Sequence, residues 1–235
     1  MNSANKRSSK ANSSDKSTGV QLPPLVLHHY WRSSASWRVR WALAIKELNY
    51  ESRAVNLLKG EQRDPPYLLL NPSGQVPCLV VGNESFAESM SIVEYLDEKV
   101  PSPALLPADP IERMRVRQAS LMVVAGIQPL QNLAPMQYLS PDVAVRNRWA
   151  AHWIRVGLTA YEHHIRKSAG TYSFGGQISL ADICLVPQAY NALRYEVGFQ
   201  DFPTVGRIYE NCMADSVCYA ASPFGQPEGR DHKLP

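Results

Sequence analysis

Two adjacent hydroxyls, Ser33 and Ser34, stand where a short apolar run, Leu25-Val26-Leu27, gives way to residues at helical spacing. The first amides of a helix have no partner within it, and the helix dipole adds positive charge there, so this is a place where a chain can hold an anion. Read by themselves, the two serines are equally well explained as helix caps. Glu88-Ser89 repeats the pattern at the start of a second predicted helix, as an acidic dipole partner and a cap. Val76-Pro77 opens an apolar strand, Cys78 to Val81. There a backbone N–H and C=O are free to pair with an extended peptide by strand addition, or the proline simply starts the strand. Arg32 and Arg194 are candidates for a carboxylate, because the planar guanidinium fork donates two parallel bonds, although Arg194 read alone also fits a surface helix. Cys78, Cys184, Cys212 and Cys218 contain no CxxC pair and lie at no zinc-ligand spacing from histidine, and the six histidines form no HExxH, so no metal site is expected. The cysteines read as buried thiols of a reducing compartment, and His163-His164 as surface residues.

The elements that must position these groups follow from periodicity. Leu25 to Tyr30 reads as a strand, and Trp37, Trp41, Ala44, Ile45 and Leu48 recur on one helical face. Tyr50 to Leu57 is a second strand, and Lys59 to Leu70 a loop or short irregular helix. Val76 to Val81 and Ser85-Phe86 form a hairpin about Gly82-Asn83, and Ser89 to Lys99 is a helix ended by Pro101, Pro103 and Pro107. The order β-α-β, connector, β-β-α is that of a thioredoxin-like domain, with a parallel first pair and an antiparallel hairpin. After Pro110 the strand signals vanish. Ile111 to Leu139 is helical with breaks near Pro129 and Pro135, followed by helices over Val143–Lys167, Ser179–Tyr195 and Thr204–Ala220, and a Pro/Gly-rich end from Ser222 that packs loosely. Ser179 and Asp182 are assigned to folding, as a capping-box pattern. Arg38 and Arg40 are assigned to structure, paired with acids such as Glu94. The expected organisation is a tail over 1–22, an α/β domain over 23–107, an all-α domain over 108–221 and a C-terminal tail over 222–235.

Composition excludes several classes. The chain has 235 residues, 24 Lys+Arg against 21 Asp+Glu, and a formal charge of +3. The first twenty residues, with Lys6, Arg7, Lys10 and Lys16 against Asp15, carry all of that excess, so the rest is neutral and no broad basic face for nucleic acid is expected. There is no apolar run long enough to span a membrane and no apolar signal core, and a cytoplasmic location is expected. The Ser-, Asn- and Lys-rich start has too little apolar content to order itself.

Several strings taken together resemble one family. They are Ser33-Ser34-Ala35-Ser36-Trp37-Arg38-Val39-Arg40, Asn71-Pro72 with Gln75-Val76-Pro77, Glu88-Ser89, Gly126-Ile127-Gln128-Pro129-Leu130-Gln131-Asn132-Leu133, and Ser179-Leu180-Ala181-Asp182 with Val186-Pro187-Gln188. Their order and spacing, from about Leu25 to Gln226, resemble the zeta class of cytosolic glutathione transferases, which includes maleylacetoacetate isomerase. The resemblance implies a thioredoxin-like domain followed by a helical one, a homodimer, and glutathione as cofactor. It implies that Ser34, with Ser33 beside it, donates to the glutathione thiolate and lowers the thiol pKa. It implies that Val76, across a cis bond to Pro77, pairs with the cysteinyl part, that Glu88 and Ser89 take the γ-glutamyl ammonium and carboxylate, and that Gln62 and Gln75 belong to the same site. Gln128 and Asn132 are implied on the helical side, and Arg194, Arg32 and Gln128 as groups that orient the substrate carboxylates.

The reaction so implied is cis–trans isomerisation of maleylacetoacetate to fumarylacetoacetate, in tyrosine and phenylalanine breakdown, by thiolate addition, rotation and elimination. Alternatives are conjugation or dehalogenation of small α-halo acids by the same thiolate, and a non-catalytic glutathione-binding scaffold. A thiol–disulfide oxidoreductase is disfavoured because no cysteine follows the first strand. Ala35 is a departure: zeta-class members commonly carry Cys at this position, and Ala35 shifts weight toward the halo-acid reaction.

Overall fold

The structure is a computed structural model that describes residues 22–231, so the tail reading falls outside it except for Leu22, which packs on the core. Four strands, β1 (Leu25–His29), β2 (Glu51–Ala54), β3 (Cys78–Val81) and β4 (Glu84–Phe86), form one sheet in the order β2-β1-β3-β4. β1 runs parallel to β2 and antiparallel to β3, and β3 and β4 form the expected hairpin. β2 is shorter than the sequence suggested because it is an exposed edge; the buried Val55 just beyond it donates from its N–H to the His29 carbonyl at 2.7 Å.

Helix α1 (Ser34–Ile45) lies between the sheet and the helical half. Trp37, Val39, Trp41, Ala42 and Leu43 are all fully buried, which explains why its sequence is apolar on more than one face. It is followed by α2 (Pro65–Leu70), which supplies the short helix anticipated there, and by α3 (Ser89–Lys99). The remainder is helical: α4 (Pro110–Leu121), α5 (Leu133–Leu139), α6 (Val143–Ile165), α7 (Leu180–Arg194), α8 (Pro203–Ala214) and α9 (Ser216–Ala221). α4 loosens into a π-helical turn over Met122–Ile127 and a 3-10 turn over Gln128–Gln131 that contains Pro129. Pro135 does not break a helix, since it sits in the first turn of α5, where its missing N–H leaves no bond unmade. Gly157 of α6 admits the Ile127 side chain into the space a Cβ would fill.

One apolar core runs from β1 and α1 through α7 to α9, so both halves of the chain share it. Trp37 meets Tyr190 edge-on at 5.8 Å across the junction. The linker is pinned by the fully buried Lys46 side chain, which donates to Asp97 Oδ1 at 2.6 Å and to the Pro103 carbonyl. Asp97 Oδ1 also accepts from the Leu105 N–H, and Leu180 N–H donates to the Leu105 carbonyl.

Three sequence expectations need correcting. Glu94 bonds Arg117 at 2.8 Å, not Arg38 or Arg40, because both α1 arginines point inward. Arg40 donates instead to three carbonyls, of Ala221 at 2.8 Å, Tyr30 at 3.3 Å and Trp31 at 3.0 Å. The segment after Ser222 is packed, not loose: Pro223–Gly225 and Pro227–Gly229 are 3-10 turns, and a Cβ on Gly229 would collide with the Pro223 carbonyl and the Trp31 ring. His163 is exposed as expected, but His164 is half-buried and its Nε2 has no hydrogen-bond partner among the described residues.

Two stability predictions arise here. Asp182 is fully buried and accepts from Ser173 N–H at 2.7 Å and from Ser179 N–H and Oγ, both at 2.8 Å. Burial pushes its pKa up while these bonds pull it down. Asp182→Ala leaves the three donors unpaired and is expected to cost about 3 kcal/mol, lowering Tm by about 6–12 °C in thermal denaturation. His29 Nδ1 accepts from the always-protonated Arg40 at 3.2 Å, so its Nε2 carries the hydrogen and donates to Ser52 Oγ at 2.7 Å. Burial, and then Arg40, lower its pKa to about 3. The unfolded chain takes up a proton near the ordinary 6.5 and the folded chain does not. Stability is therefore complete above that value and falls by up to about 1.4 kcal/mol per pH unit below it, toward about pH 3. Urea midpoints measured from pH 7 to pH 4 are expected to show this slope, and His29→Gln to flatten it.

Candidate active site

The two serines separate in role. Ser33 is the N-cap of α1, and its Oγ accepts from Ser36 N–H at 3.1 Å. Ser34 is the first helical residue, 7% exposed, and its hydroxyl makes no hydrogen bond to another described residue. The capping lone pair is thus supplied by Ser33, and Ser34 keeps a donor at the positive end of a twelve-residue helix.

A second set of groups sits at the start of β3. The Val76–Pro77 peptide is cis, as the resemblance implied. The β1–β3 ladder ends at Cys78, so Val76 N–H and C=O make no backbone bond to another described residue. The Gln75 carbonyl, by contrast, is held by Tyr67 Oη and by Asn71 Nδ2, the latter at 2.8 Å, so the loop carrying Val76 is fixed; the Gln75 side chain is exposed. Glu88 precedes α3 with φ 66° and ψ 105°, an unfavourable backbone for a residue with a Cβ, of the kind that persists where surrounding structure imposes it. Its side chain is exposed, while Ser89 at the first helical position is buried and accepts from Arg38 Nη1 at 3.2 Å. Gln62, on a 3-10 turn after Gly60, is buried with its Oε1 unpartnered among the described residues.

Arg194 ends α7. Its Nη1 donates to Asn191 Oδ1 at 3.1 Å, and its guanidinium lies 6.0 Å from the Tyr190 ring centre and 5.6 Å from that of Tyr195. Burial lowers its pKa first and the neighbouring Arg32 second. Arg32 lies over Trp31 at 5.5 Å. Among the described residues neither arginine has a carboxylate partner, and Arg32, two positions before Ser34, lies near enough for its charge to act on Arg194. Such a place favours an anion of more than one charge. Gln128 and Asn132 are half-buried around the 3-10 turn before α5, and their side chains bond none of the residues above. Among the described residues no group of three or more His, Cys, Asp or Glu could hold a metal ion.

Comparison with known proteins places these groups in a family. The N-terminal domain of glutathione S-transferase matches residues 23–98. A probable maleylacetoacetate isomerase of Vibrio cholerae is 43% identical over 210 residues, covering 87% of this chain and 98% of that one. This chain belongs to the zeta-class glutathione transferase and maleylacetoacetate isomerase family. Solved structures agree. The maleylacetoacetate isomerase of Anaeromyxobacter dehalogenans 2CP-1, with glutathione bound in its active site, is 42% identical, covers 89% of this chain and 100% of its own, and superposes with a TM-score of 0.81. Another structure of that enzyme holds dicarboxyethyl glutathione and citrate in the active site. A bacterial zeta-class maleylpyruvate isomerase is 37% identical, covers 87% of this chain and 99% of its own, with a TM-score of 0.84.

In this zeta-class chain Ala35 stands half-buried at the second position of α1, between Ser34 and Ser36. All four cysteines are free and buried, and burial raises each thiol pKa, so none of them is an activated nucleophile. Sequence reasoning missed the aromatic walls. Tyr190 precedes Arg194 by four residues on one helix and was discoverable from that spacing. Trp31 and Phe224 were not: Phe224 reaches Tyr190 edge-on at 5.7 Å only because the C-terminal turns fold back.

Proposed function

We propose that this chain isomerises maleylacetoacetate to fumarylacetoacetate with glutathione as its cofactor. The observation that carries the reading is that, among the described residues, the neighbouring arginines Arg32 and Arg194 have no acidic partner and the Ser34 hydroxyl, two positions after Arg32, makes no hydrogen bond. The residues present fit glutathione: Val76 offers one N–H and one C=O to its cysteinyl backbone, Ser89 and the first amides of α3 suit the γ-glutamyl carboxylate, and Glu88 suits its ammonium. Gln62, with an unpartnered Oε1, and Gln75 would complete that side. Glutathione, when bound, supplies a thiol that adds to the conjugated double bond and leaves once the bond has turned. Ser34 Oγ–H donates to the sulfur and favours its ionised form. Arg194 and Arg32 hold the substrate's carboxylates and stabilise the negative charge that develops on its carbonyl oxygen. Gln128 and Asn132 add amide groups from the helical side. Ser33 serves the reaction by fixing the helix start. None of these roles needs a protein thiol, so Ala35 is compatible with isomerisation.

The same site with an α-halo acid would displace halide and consume thiol. The deciding experiment follows maleylacetone by absorbance, with and without glutathione, while free thiol is titrated. Isomerisation with thiol unchanged is expected. Absence of isomerisation while glutathione binds would overturn the reading in favour of the halo-acid reaction or a scaffold.

The proposal includes a cytoplasmic place in aromatic amino-acid breakdown and a homodimer. No described helix is long and apolar enough to cross a membrane. α4 exposes Ile111, Met114 and Leu121 at 53%, 58% and 51%, all on one helical stripe, which is an apolar face suited to a second copy. Sedimentation is expected to give a dimer mass, and Met114→Glu to shift it toward monomer.

A further inference from the structure

We propose that Arg38 is a positioning residue for glutathione, acting through Ser89 on the γ-glutamyl carboxylate. The proposal rests on the reading of Ser89 given above and adds a residue which that reading leaves out. Arg38 lies in the second turn of α1, 1% exposed, and reaches the first residue of α3, 51 positions along the chain, with one bond from Nη1 to Ser89 Oγ at 3.2 Å. Its Nε and Nη2 are buried without a hydrogen-bond partner among the described residues, and it forms no ion pair there. An arginine with most of its donors unmet is a poor structural device. Burying the charge costs stability, and an apolar side chain of the same length avoids that cost. The carboxylate whose charge acts on it is that of Glu88, the residue beside Ser89.

Hydrogen-bond direction makes the bond informative. A guanidinium can only donate, so Ser89 Oγ is the acceptor. The serine's own proton is therefore not turned toward Arg38 and is left to donate to an acceptor at the start of α3. The positive charge behind the hydroxyl polarises it further in the same sense. Arg38 thus sets both the orientation and the donor strength of Ser89, and places a buried cation behind a helix N-terminus that already favours an anion.

The test compares binding of glutathione with that of its analogue lacking the γ-glutamyl α-carboxylate, γ-aminobutyryl-cysteinyl-glycine, by titration calorimetry. Wild type is expected to prefer glutathione. In Arg38→Met the preference is expected to fall about tenfold, with affinity for the analogue unchanged and Tm at or above that of wild type. Arg38→Lys, which keeps the charge and one donor, is expected to retain the preference within about threefold. A loss shared equally by both ligands, in either variant, would mean a structural role and overturn the proposal. A full preference kept in Arg38→Met would also overturn it while leaving the Ser89 reading intact. If wild type itself fails to distinguish the two ligands, the Ser89 reading fails and this proposal with it.

Discussion

Ser34→Ala is expected to lower kcat/KM for the isomerisation by about 10²–10³-fold while glutathione still binds, the magnitude associated with losing one donor aimed at a reacting anion. The same change is expected to raise the thiol pKa of bound glutathione, read from thiolate absorbance across pH. The structure makes the neighbouring substitution a control. Ser33 Oγ is engaged at the Ser36 N–H, so Ser33→Ala removes a cap and is expected to cost about 1 kcal/mol of stability. Its catalytic effect should be minor next to that of Ser34→Ala. If the two variants lose activity equally, with thiol pKa unmoved, the division of labour between the serines is wrong.

The second large effect is expected at Arg194. Arg194→Gln should reduce kcat/KM for a dicarboxylate substrate by about 10–100-fold, chiefly through KM, because a charge-assisted bidentate contact is lost. Arg194→Lys should recover only part, since an ammonium cannot present the parallel fork. Stability should not fall alongside. Burial and the neighbouring Arg32 both oppose the Arg194 charge, and its bond to Asn191 spans 3.1 Å on the same helix. Steady-state kinetics with thermal denaturation on the same samples separates this outcome from a folding defect. A fall in kcat with KM unchanged would remove Arg194 from substrate binding.

What was legible in the sequence is what local spacing encodes. The strand before Ser33, the tryptophan-bearing helix after it, the hairpin about Gly82-Asn83 and the cap at Asp182 all stand where pattern placed them. Among the described residues the Ser34 hydroxyl and the Val76 peptide groups make no hydrogen bond and the Ser89 hydroxyl accepts from Arg38, which a string alone does not show. The misses share a cause. Arg40 and Ala221 are 181 positions apart, Lys46 and Asp97 are 51, and Gln131 and Gln188, which pair through their amides at 2.6 Å, are 57. No window of helix or strand length contains both members of such a pair. Glu88 is a further case, because nothing but the folded surroundings holds a glutamate at φ 66°. Arg38 illustrates the reverse error: an interior arginine invites pairing with an acid, yet Glu94 faces Arg117 on the outside.

The grip of Arg40 on Tyr30, Trp31 and Ala221 bears on how this chain can be recombined with its relatives. The visible seam lies among the prolines between α3 and α4, and a crossover there looks innocuous. It would nonetheless make a guanidinium in the first half depend on a main-chain carbonyl at the end of a foreign second half. A hybrid whose foreign helical half ends on a different backbone path would bury Arg40 with one donor stranded and leave Trp31 without the turns that cover it. Functional hybrids are therefore expected to inherit α1 and the segment from Ala221 to Gly229 from one parent, as a single inheritance unit split across the two ends of the gene.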